Sequence, residues 1–141
     1  MESRKIDPQT EQWTFPRAEL TVCTPRVGVL RTMVSGHATS DLGTVLIEQF
    51  EAAIARFGSV VVFDDWEAAI GYDSDVRLRL TEWTRKRQPA LPEIHILVGS
   101  KIVAMGLSVA AMVVRHGLKV HPDRASFELA YTKATRGPAA R

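Results

Sequence analysis

Residues 63–77 hold the acidic and hydroxyl side chains of this sequence that could do chemistry. The stretch reads FDDWEAAIGYDSDVR and contains Asp64, Asp65, Asp73, Ser74 and Asp75. Two adjacent carboxylates at the end of a strand offer the hard oxygen ligands that suit Mg²⁺. A phosphate on a serine at the start of a helix would meet free N–H groups and the positive end of the helix dipole. The stretch therefore suggests two hypotheses, a metal site and a phosphorylation site.

Ordinary structural chemistry also accounts for these residues. Asp and Ser are preferred at helix N-caps, and further carboxylates near a helix start are favoured by the dipole. On this interpretation Asp73, Ser74 and Asp75 begin a helix, whereas the acid pair Asp64 and Asp65 ends a strand and faces solvent. Arg77 and Arg79 follow in that helix and could offset the charge of a phosphate.

The metal hypothesis has one specific form, a phospho-acceptor receiver with Lys101 as the later lysine. The order of elements argues against it, because a receiver carries its acid pair on an early strand and its acceptor aspartate on an intervening one. The four histidines show no local metal-ligand spacing and no serine-histidine-acid set. A Mg²⁺-dependent phosphotransfer protein is therefore kept only as a third alternative.

Size and charge indicate one soluble cytoplasmic domain. The chain has 141 residues and a net charge of +2, and its single cysteine excludes a disulfide framework. Residues 1–75 carry 12 acids against 6 Lys and Arg, a net of −6, and residues 76–141 carry 4 against 12, a net of +8. This asymmetry favours a charged partner or a second copy of the chain. No aromatic-basic motif points to nucleic acid, and no apolar run is long enough to span a membrane.

The hydrophobic pattern predicts an α/β domain over residues 13–135, between a flexible segment 1–12 and a flexible tail 136–141. The predicted strands are 19–24, 27–34, 59–63, 93–99 and 118–121, the first two forming a hairpin about Pro25 and Arg26. The predicted helices begin near Ser40, Asp73, residue 100 and Pro122. Strands that alternate with helices favour a mostly parallel central sheet covered by about four helices. Ligand sites in such sheets gather beyond the carboxyl ends of the strands.

The third predicted helix is apolar on nearly every side. It spans about 100–116, with the apolar run at 102–114, and combines small residues such as Gly106 with Met105 and Met112. A helix of this kind is either packed densely on the sheet or leaves an apolar face for a partner. The alternatives are core, dimer face and groove for an apolar ligand.

The order of elements resembles the STAS domain, in particular its bacterial SpoIIAA-like subfamily, which is grouped with the SEC14-type lipid-binding fold. The likeness covers about residues 18–135. The runs VGVLRTMVSGHAT, SVVVFDDW with YDSDVRLRL, EIHILVG and VHPDRASFELA carry it. In anti-sigma-factor antagonists of this family, a partner kinase phosphorylates the serine that follows a motif aspartate. The match places Asp73 at that aspartate and Ser74 at the acceptor, but Asp75 and Val76 depart from the motif.

The resemblance implies a regulatory or protein-interaction domain without catalytic activity or a cofactor. Its partner would be a serine kinase or an anti-sigma-type factor, and the domain would act as a homodimer or alone. We predict contacts to a partner or ligand from Asp64, Asp65, Trp66, Tyr72, Asp73, Asp75 and Arg77. The related lipid-binding fold implies the alternative, a binder of a lipid or another small apolar molecule.

Overall fold

A computed structural model describes residues 1–114 and 116–136 of the chain. The strands are β1 Glu2–Asp7, β2 Thr10–Phe15, β3 Ala18–Arg26, β4 Val29–Ala38, β5 Val61–Trp66, β6 Ala69–Tyr72, β7 Ile94–Val98 and β8 Leu118–Val120. The helices are α1 Ser40–Phe57, α2 Ser74–Arg87, α3 Lys101–Val113 and α4 Arg124–Arg136, and a 3₁₀ turn spans Gln88–Ala90. None of the helices in these residues is long and apolar enough to cross a membrane.

One mixed sheet forms the centre of the molecule. Its strand order is β1-β2-β3-β4-β5-β7-β8, and β6 pairs with the far end of β4. The first four strands pair antiparallel, whereas β4-β5, β4-β6, β5-β7 and β7-β8 pair parallel. The prediction of an α/β fold with four helices is confirmed. The prediction of a mostly parallel sheet was wrong, because the antiparallel ladders of the first four strands make up the larger part of the pairing.

The N-terminal hairpin starts earlier in the chain than predicted. Residues 2–12 were expected to be flexible, yet they form β1 and the start of β2. All residues of β1 are exposed, so this edge strand shows none of the apolar alternation by which a half-buried strand is recognised. The turn between β3 and β4 lies at Val27 and Gly28, where Gly28 has φ +79°. Pro25 instead lies inside β3 at an irregular step in the register, a position that tolerates a missing N–H.

The main core lies between the sheet and the helices α1, α2 and α3. The apolar residues of α1 recur at helical spacing and are buried, as predicted: Leu42, Leu46, Phe50 and Ala53. The N-cap of α1 is Thr39, whose hydroxyl accepts from the N–H of Leu42, so Ser40 is the first helical residue and not the cap. Gly58 at φ +81° ends the helix.

A second, smaller core lies on the opposite face of the sheet under α4. Phe127 of α4 is fully buried against Val29, Phe63 and Leu97 of the central strands. Odd-numbered residues of β5 therefore face α4, and even-numbered residues face α1, α2 and α3. The predicted end of the third helix and the predicted tail include Arg115 and residues 137–141, which lie outside the described residues.

Candidate functional site

The two aspartates Asp64 and Asp65 do not form a pair. Both lie inside β5, which extends to Trp66, and both are buried at 9% and 2% exposure. Neighbouring side chains of a strand point to opposite faces, so Asp64 faces the core under α2 and α3, and Asp65 faces α4. The prediction that they end a strand in solvent was wrong. Because the two carboxylates are separated by the sheet, they cannot bind one metal ion together.

Asp64 is a buried carboxyl with a single hydrogen-bond partner among the described residues. The hydroxyl of Thr32, which is fully buried in β4, donates to Oδ1 of Asp64 over 2.6 Å. Burial raises the pKa of Asp64 to about 7, and the hydrogen bond from Thr32 lowers it by a smaller amount. Asp64 therefore titrates near neutral pH, which is uncommon for a carboxyl group and frequent at functional sites.

Asp64 lies on the wall of an apolar cavity of about 130 Å³ between the sheet and the helices α2 and α3. Most of the wall is aliphatic or aromatic, and the strands contribute Val62, Ile94 and Ile96 to it. Ile96 is only partly buried although it lies on a central strand, because the cavity separates it from α3. No buried side-chain oxygen or nitrogen that is cut off from solvent lacks a hydrogen bond among the described residues. Oδ2 of Asp64 accepts no hydrogen bond from the described residues. It is therefore not cut off from solvent and contacts the open space of the cavity.

Tyr72, Arg77 and Gly106 lie on the α2–α3 side of the cavity. Tyr72 and Arg77 are half-buried and pack against Gly106 of α3, which has no space for a larger side chain. Other half-buried lining residues, such as Thr81 of α2 and Leu107 of α3, lie on the facing sides of these helices. The opening of the cavity therefore lies between α2 and α3. Trp66, which was predicted to contact a partner, is buried and lines the same cavity.

The third helix has a cavity face and an exposed apolar face. Val103 and Gly106 are its only buried residues among those described. Ile102, Met105, Val109 and Met112 follow one another at helical spacing on the outer side, with exposures of 48–75%. The helix is therefore partly packed and partly exposed. Its inner face bounds the cavity, and its outer face is open to solvent. The role of its outer face as a dimer surface stays a prediction.

Asp73 joins the starts of two helices. It occupies the N-cap position of α2, but its side chain makes no capping bond to α2. Its Oδ2 instead accepts from the backbone N–H of Ser40 at the start of α1 over 3.0 Å, and its Oδ1 lies 2.9 Å from Nε2 of His37. The hydrogen bonds from His37 and Ser40 lower the pKa of Asp73. Asp73 therefore stabilises the junction of β4, α1 and α2.

Ser74 is exposed beside this junction, whereas Asp75 belongs to it. The hydroxyl of Ser40 lies 2.6 Å from Oδ1 of Asp75, and Arg79 donates to Oδ2 of Asp75 and to the carbonyl of Ser40. The hydrogen bond from Ser40 lowers the pKa of Asp75. The compensating cation in this turn is thus Arg79, while Arg77 points to the cavity.

Asp65 is the centre of an ion-pair network on the α4 face. Arg124 donates from both terminal nitrogens to its carboxylate, over 2.6 and 3.1 Å, and Arg31 lies 3.4 Å away. Glu128 accepts from Arg31 and Arg124, and these bonds lower its pKa to about 2. Every buried charge here has a partner, which is the condition under which a buried carboxylate is tolerated. The network ties α4 to the sheet.

A chain of four polar side chains crosses the edge of the same face. The Oγ of Ser126 lies 2.7 Å from Nδ1 of His121, Nε2 of His121 lies 2.8 Å from Nδ1 of His95, and Nε2 of His95 lies 2.8 Å from Glu93. With each imidazole protonated on Nε2, every donor points toward Glu93 and every acceptor is satisfied. This row of hydrogen-bonded side chains was not predicted from the sequence, because its members come from β7, α4 and the segments before them. Residues so far apart show no recognisable spacing in the sequence.

The structure thus distributes the predicted site residues over three places. Asp64, Trp66, Tyr72 and Arg77 line one cavity. Asp73 and Asp75 belong to the helix junction, with Ser74 exposed beside it, and Asp65 lies in the network under α4. Within residues 1–114 and 116–136, no three His, Cys, Asp or Glu side chains are arranged to hold a metal ion.

Comparisons with known proteins give the fold. No protein-family model matches the sequence, and no curated protein matches it either. Among solved structures, one similar chain is an uncharacterised protein of the DUF3478 family from Shewanella loihica PV-4, described as having a SpoIIAA-like fold. It superposes with a TM-score of 0.62 at 13% sequence identity, over 83% of this chain and 98% of that one. At this identity the likeness concerns the fold alone, and the chain has a SpoIIAA-like fold.

Proposed function

We propose that this domain binds a small apolar molecule in the cavity between the sheet and the helices α2 and α3. The observation that supports the proposal is the cavity itself, about 130 Å³ of mostly apolar space with a buried carboxyl on its wall. An engineered apolar cavity of about 150 Å³ is sufficient to bind benzene. The volume therefore favours a ligand of single-ring size over an intact lipid.

The composition of the wall supports binding and not catalysis. A ligand site is typically concave and apolar, with a few polar groups that orient the ligand. Here Asp64 lies deep in the cavity, and Tyr72 and Arg77 lie on its helical side. The hydrogen-bonded side chains from Ser126 to Glu93 lie on the other face of the sheet, packed on Phe63 and Phe127 under α4. They therefore cannot act on a molecule in this cavity.

The experiment compares two phenylalanine substitutions on neighbouring residues of α3. Ala110 lines the cavity, whereas Val109 is exposed at 48% on the outer face. Ala110→Phe should fill the cavity, and Val109→Phe should leave it open. Toluene or benzyl alcohol should raise the melting temperature of the wild type and of Val109→Phe, because a ligand that binds only the folded state stabilises it. Ala110→Phe should show no increase.

Native mass spectrometry of the freshly purified protein supplies the second measurement. A molecule that co-purifies with the wild type and with Val109→Phe, but not with Ala110→Phe, would come from the cavity. If neither probe shifts the melting temperature of the wild type at millimolar concentration and no molecule co-purifies, the proposed function is wrong.

A second candidate function is a regulatory contact at Ser74. The side chain of Ser74 is exposed, and the side chain of the N-cap residue Asp73 is turned toward α1 and makes no capping bond to the first N–H groups of α2. A phosphate on Ser74 would lie beside these donors. Incubation with a serine kinase from the same genome should label the wild type and not Ser74→Ala. Equal labelling of the two would place the phosphate elsewhere.

A further inference from the structure

We infer that the cavity selects small molecules that carry one hydroxyl group on an apolar body, and that Asp64 binds this hydroxyl. The inference rests on the proposed function, to which it adds the chemical class of the ligand. It starts from a polar group that the fold leaves incompletely paired. Asp64 is 9% exposed and lies on the wall of the cavity. Among the described residues its only hydrogen-bond donor is Thr32, which occupies Oδ1.

Oδ2 of Asp64 can be hydrated while the cavity is open to solvent, and a ligand that fills the cavity takes the place of that water. A hydrocarbon would expel this water and leave a buried carboxyl oxygen without a partner, which is unfavourable. A hydroxyl group restores the lost hydrogen bond. It donates to Oδ2 when Asp64 is ionised and accepts from Oδ2–H when Asp64 is protonated. A hydroxyl therefore suits both protonation states of a carboxyl that titrates near neutral pH.

Other polar head groups fit the cavity less well. An ammonium carries three N–H donors, and the two lining residues beside Asp64 on the strands, Val62 and Ile96, have no acceptor in their side chains. It would also meet the positive charge of Arg77, which lines the cavity. A carboxylate on the ligand would place a second negative charge beside the carboxylate of Asp64, and two like charges in close contact are strongly unfavourable.

Thr32 fixes the direction in which Asp64 can bind. Its hydroxyl is buried at 0% exposure and donates over 2.6 Å, so Oδ1 is held on the β4 side. The fold thereby leaves one oxygen, Oδ2, for the ligand. A molecule with a single hydroxyl group on an apolar body uses this one position.

Three probes with the same phenylmethyl body test the selectivity. Toluene, benzyl alcohol and benzylamine differ only in the group on the benzylic carbon, which is H, OH or NH₃⁺. Dissociation constants are measured by ligand-observed NMR or calorimetry on the wild type and on Thr32→Val/Asp64→Leu. The double variant replaces both partners of the hydrogen bond by apolar groups of similar size, so no buried polar group is left alone.

Benzyl alcohol should bind the wild type more tightly than toluene and benzylamine. In the double variant toluene should bind more tightly than benzyl alcohol, and the ratio of their dissociation constants should change about tenfold, the size of one net hydrogen bond. The order of the three probes on the wild type decides the question even if the double variant does not fold.

Three outcomes have distinct meanings. Equal binding of toluene and benzyl alcohol to both proteins overturns the inference but leaves ligand binding in place. Tightest binding of benzylamine to the wild type also overturns it, in favour of a cationic ligand. Failure of all three probes to bind the wild type overturns the inference, and where no molecule co-purifies it overturns the proposed function as well.

Discussion

The carboxylates of Asp64 and Asp65 lie on opposite faces of the sheet, although the two residues are neighbours in β5. Asp64 accepts a hydrogen bond from Thr32 under α2 and α3, and Asp65 accepts from Arg124 under α4. One carboxyl is thereby left on the wall of an apolar cavity, and the other is neutralised by two arginines. The same residue type lines a cavity on one face and attaches a helix on the other.

Asp64 should make the protein less stable as the pH rises. Its pKa is about 7 in the folded protein against 3.8 for the free side chain. The folded state therefore holds a proton that the unfolded state releases between these values, and the stabilisation present below pH 4 is lost as the pH rises through 7. The pKa of Asp64 thus differs by about three between the folded and unfolded states, which corresponds to a decrease on the order of 4 kcal/mol in the free energy of unfolding.

Urea denaturation between pH 4 and pH 8 measures this effect. Asp64→Asn should have a flatter profile than the wild type over that range, because the amide keeps the size of the side chain and does not titrate. Parallel profiles of the two proteins would show that Asp64 keeps an ordinary pKa in the folded protein.

Arg124 should contribute more to stability than an arginine in an exposed ion pair. Its loss would leave the carboxylate of Asp65, 2% exposed, with Arg31 at 3.4 Å and the backbone N–H of Glu67 at 3.3 Å. We expect Arg124→Ala to lower the free energy of unfolding by about 2 kcal/mol, less than the roughly 3–5 kcal/mol of a fully buried pair because Arg31 remains. The matched control is Arg85→Ala, which removes an exposed pair with Glu82 and should leave the stability nearly unchanged. Similar losses in the two variants would contradict the prediction.

The elements of the fold could be predicted from the sequence more completely than the site. Periodicity located α1 and the apolar run that opens β5, because these segments bury a continuous face. The run ends in two acids, however, and nothing local shows that β5 continues through them. Their burial depends on Thr32 and Arg124, which are distant in sequence and reach the two faces of the strand only after the sheet has formed. The cavity likewise results from the position of α3 over β7, which no single segment determines.

The helix junction should be sensitive to Asp73 and insensitive to Ser74. Asp73 binds the backbone of Ser40 and the ring of His37, whereas Ser74 is exposed. Asp73→Ala should therefore lower the melting temperature, and Ser74→Ala should leave it unchanged. Because the folded state lowers the pKa of Asp73, its contribution is present above the ordinary value of 3.8 and is lost as the pH falls below it. A partner-binding assay on Asp73→Ala thus requires a folding control, and Ser74→Ala is the cleaner probe of a phosphorylation site.

The row of hydrogen bonds from Ser126 through His121 and His95 to Glu93 predicts a particular tautomer for each imidazole ring. Nδ1 of His121 faces the hydroxyl of Ser126, Nε2 of His121 faces Nδ1 of His95, and Nε2 of His95 faces Glu93. Nitrogen-detected NMR should find the tautomer protonated on Nε2 in both rings. Burial lowers the pKa of His121, so stability should decrease as the pH falls below 6.5, where the unfolded chain binds the proton first. A His121 ring protonated on Nδ1 at pH 7.5 would break the chain at Ser126.

Gly106 packs closely against Tyr72, so the effect of a substitution at Gly106 on stability should change sign when Tyr72 is replaced. A Cβ at position 106 would overlap the hydroxyl end of Tyr72 and approach the side chain of Arg77. Gly106→Ala should therefore destabilise the wild type by about 1–2 kcal/mol, the lower part of the roughly 1–3 kcal/mol range for overpacking. Within a helix, however, alanine is intrinsically favoured over glycine by up to about 1 kcal/mol. In a Tyr72→Leu background, where the overlap is removed, the same substitution should be neutral or stabilising. The comparison is a double-mutant cycle measured by chemical denaturation. An equal effect of Gly106→Ala in the two backgrounds would mean that Tyr72 does not pack against α3 and that the cavity is more open than described.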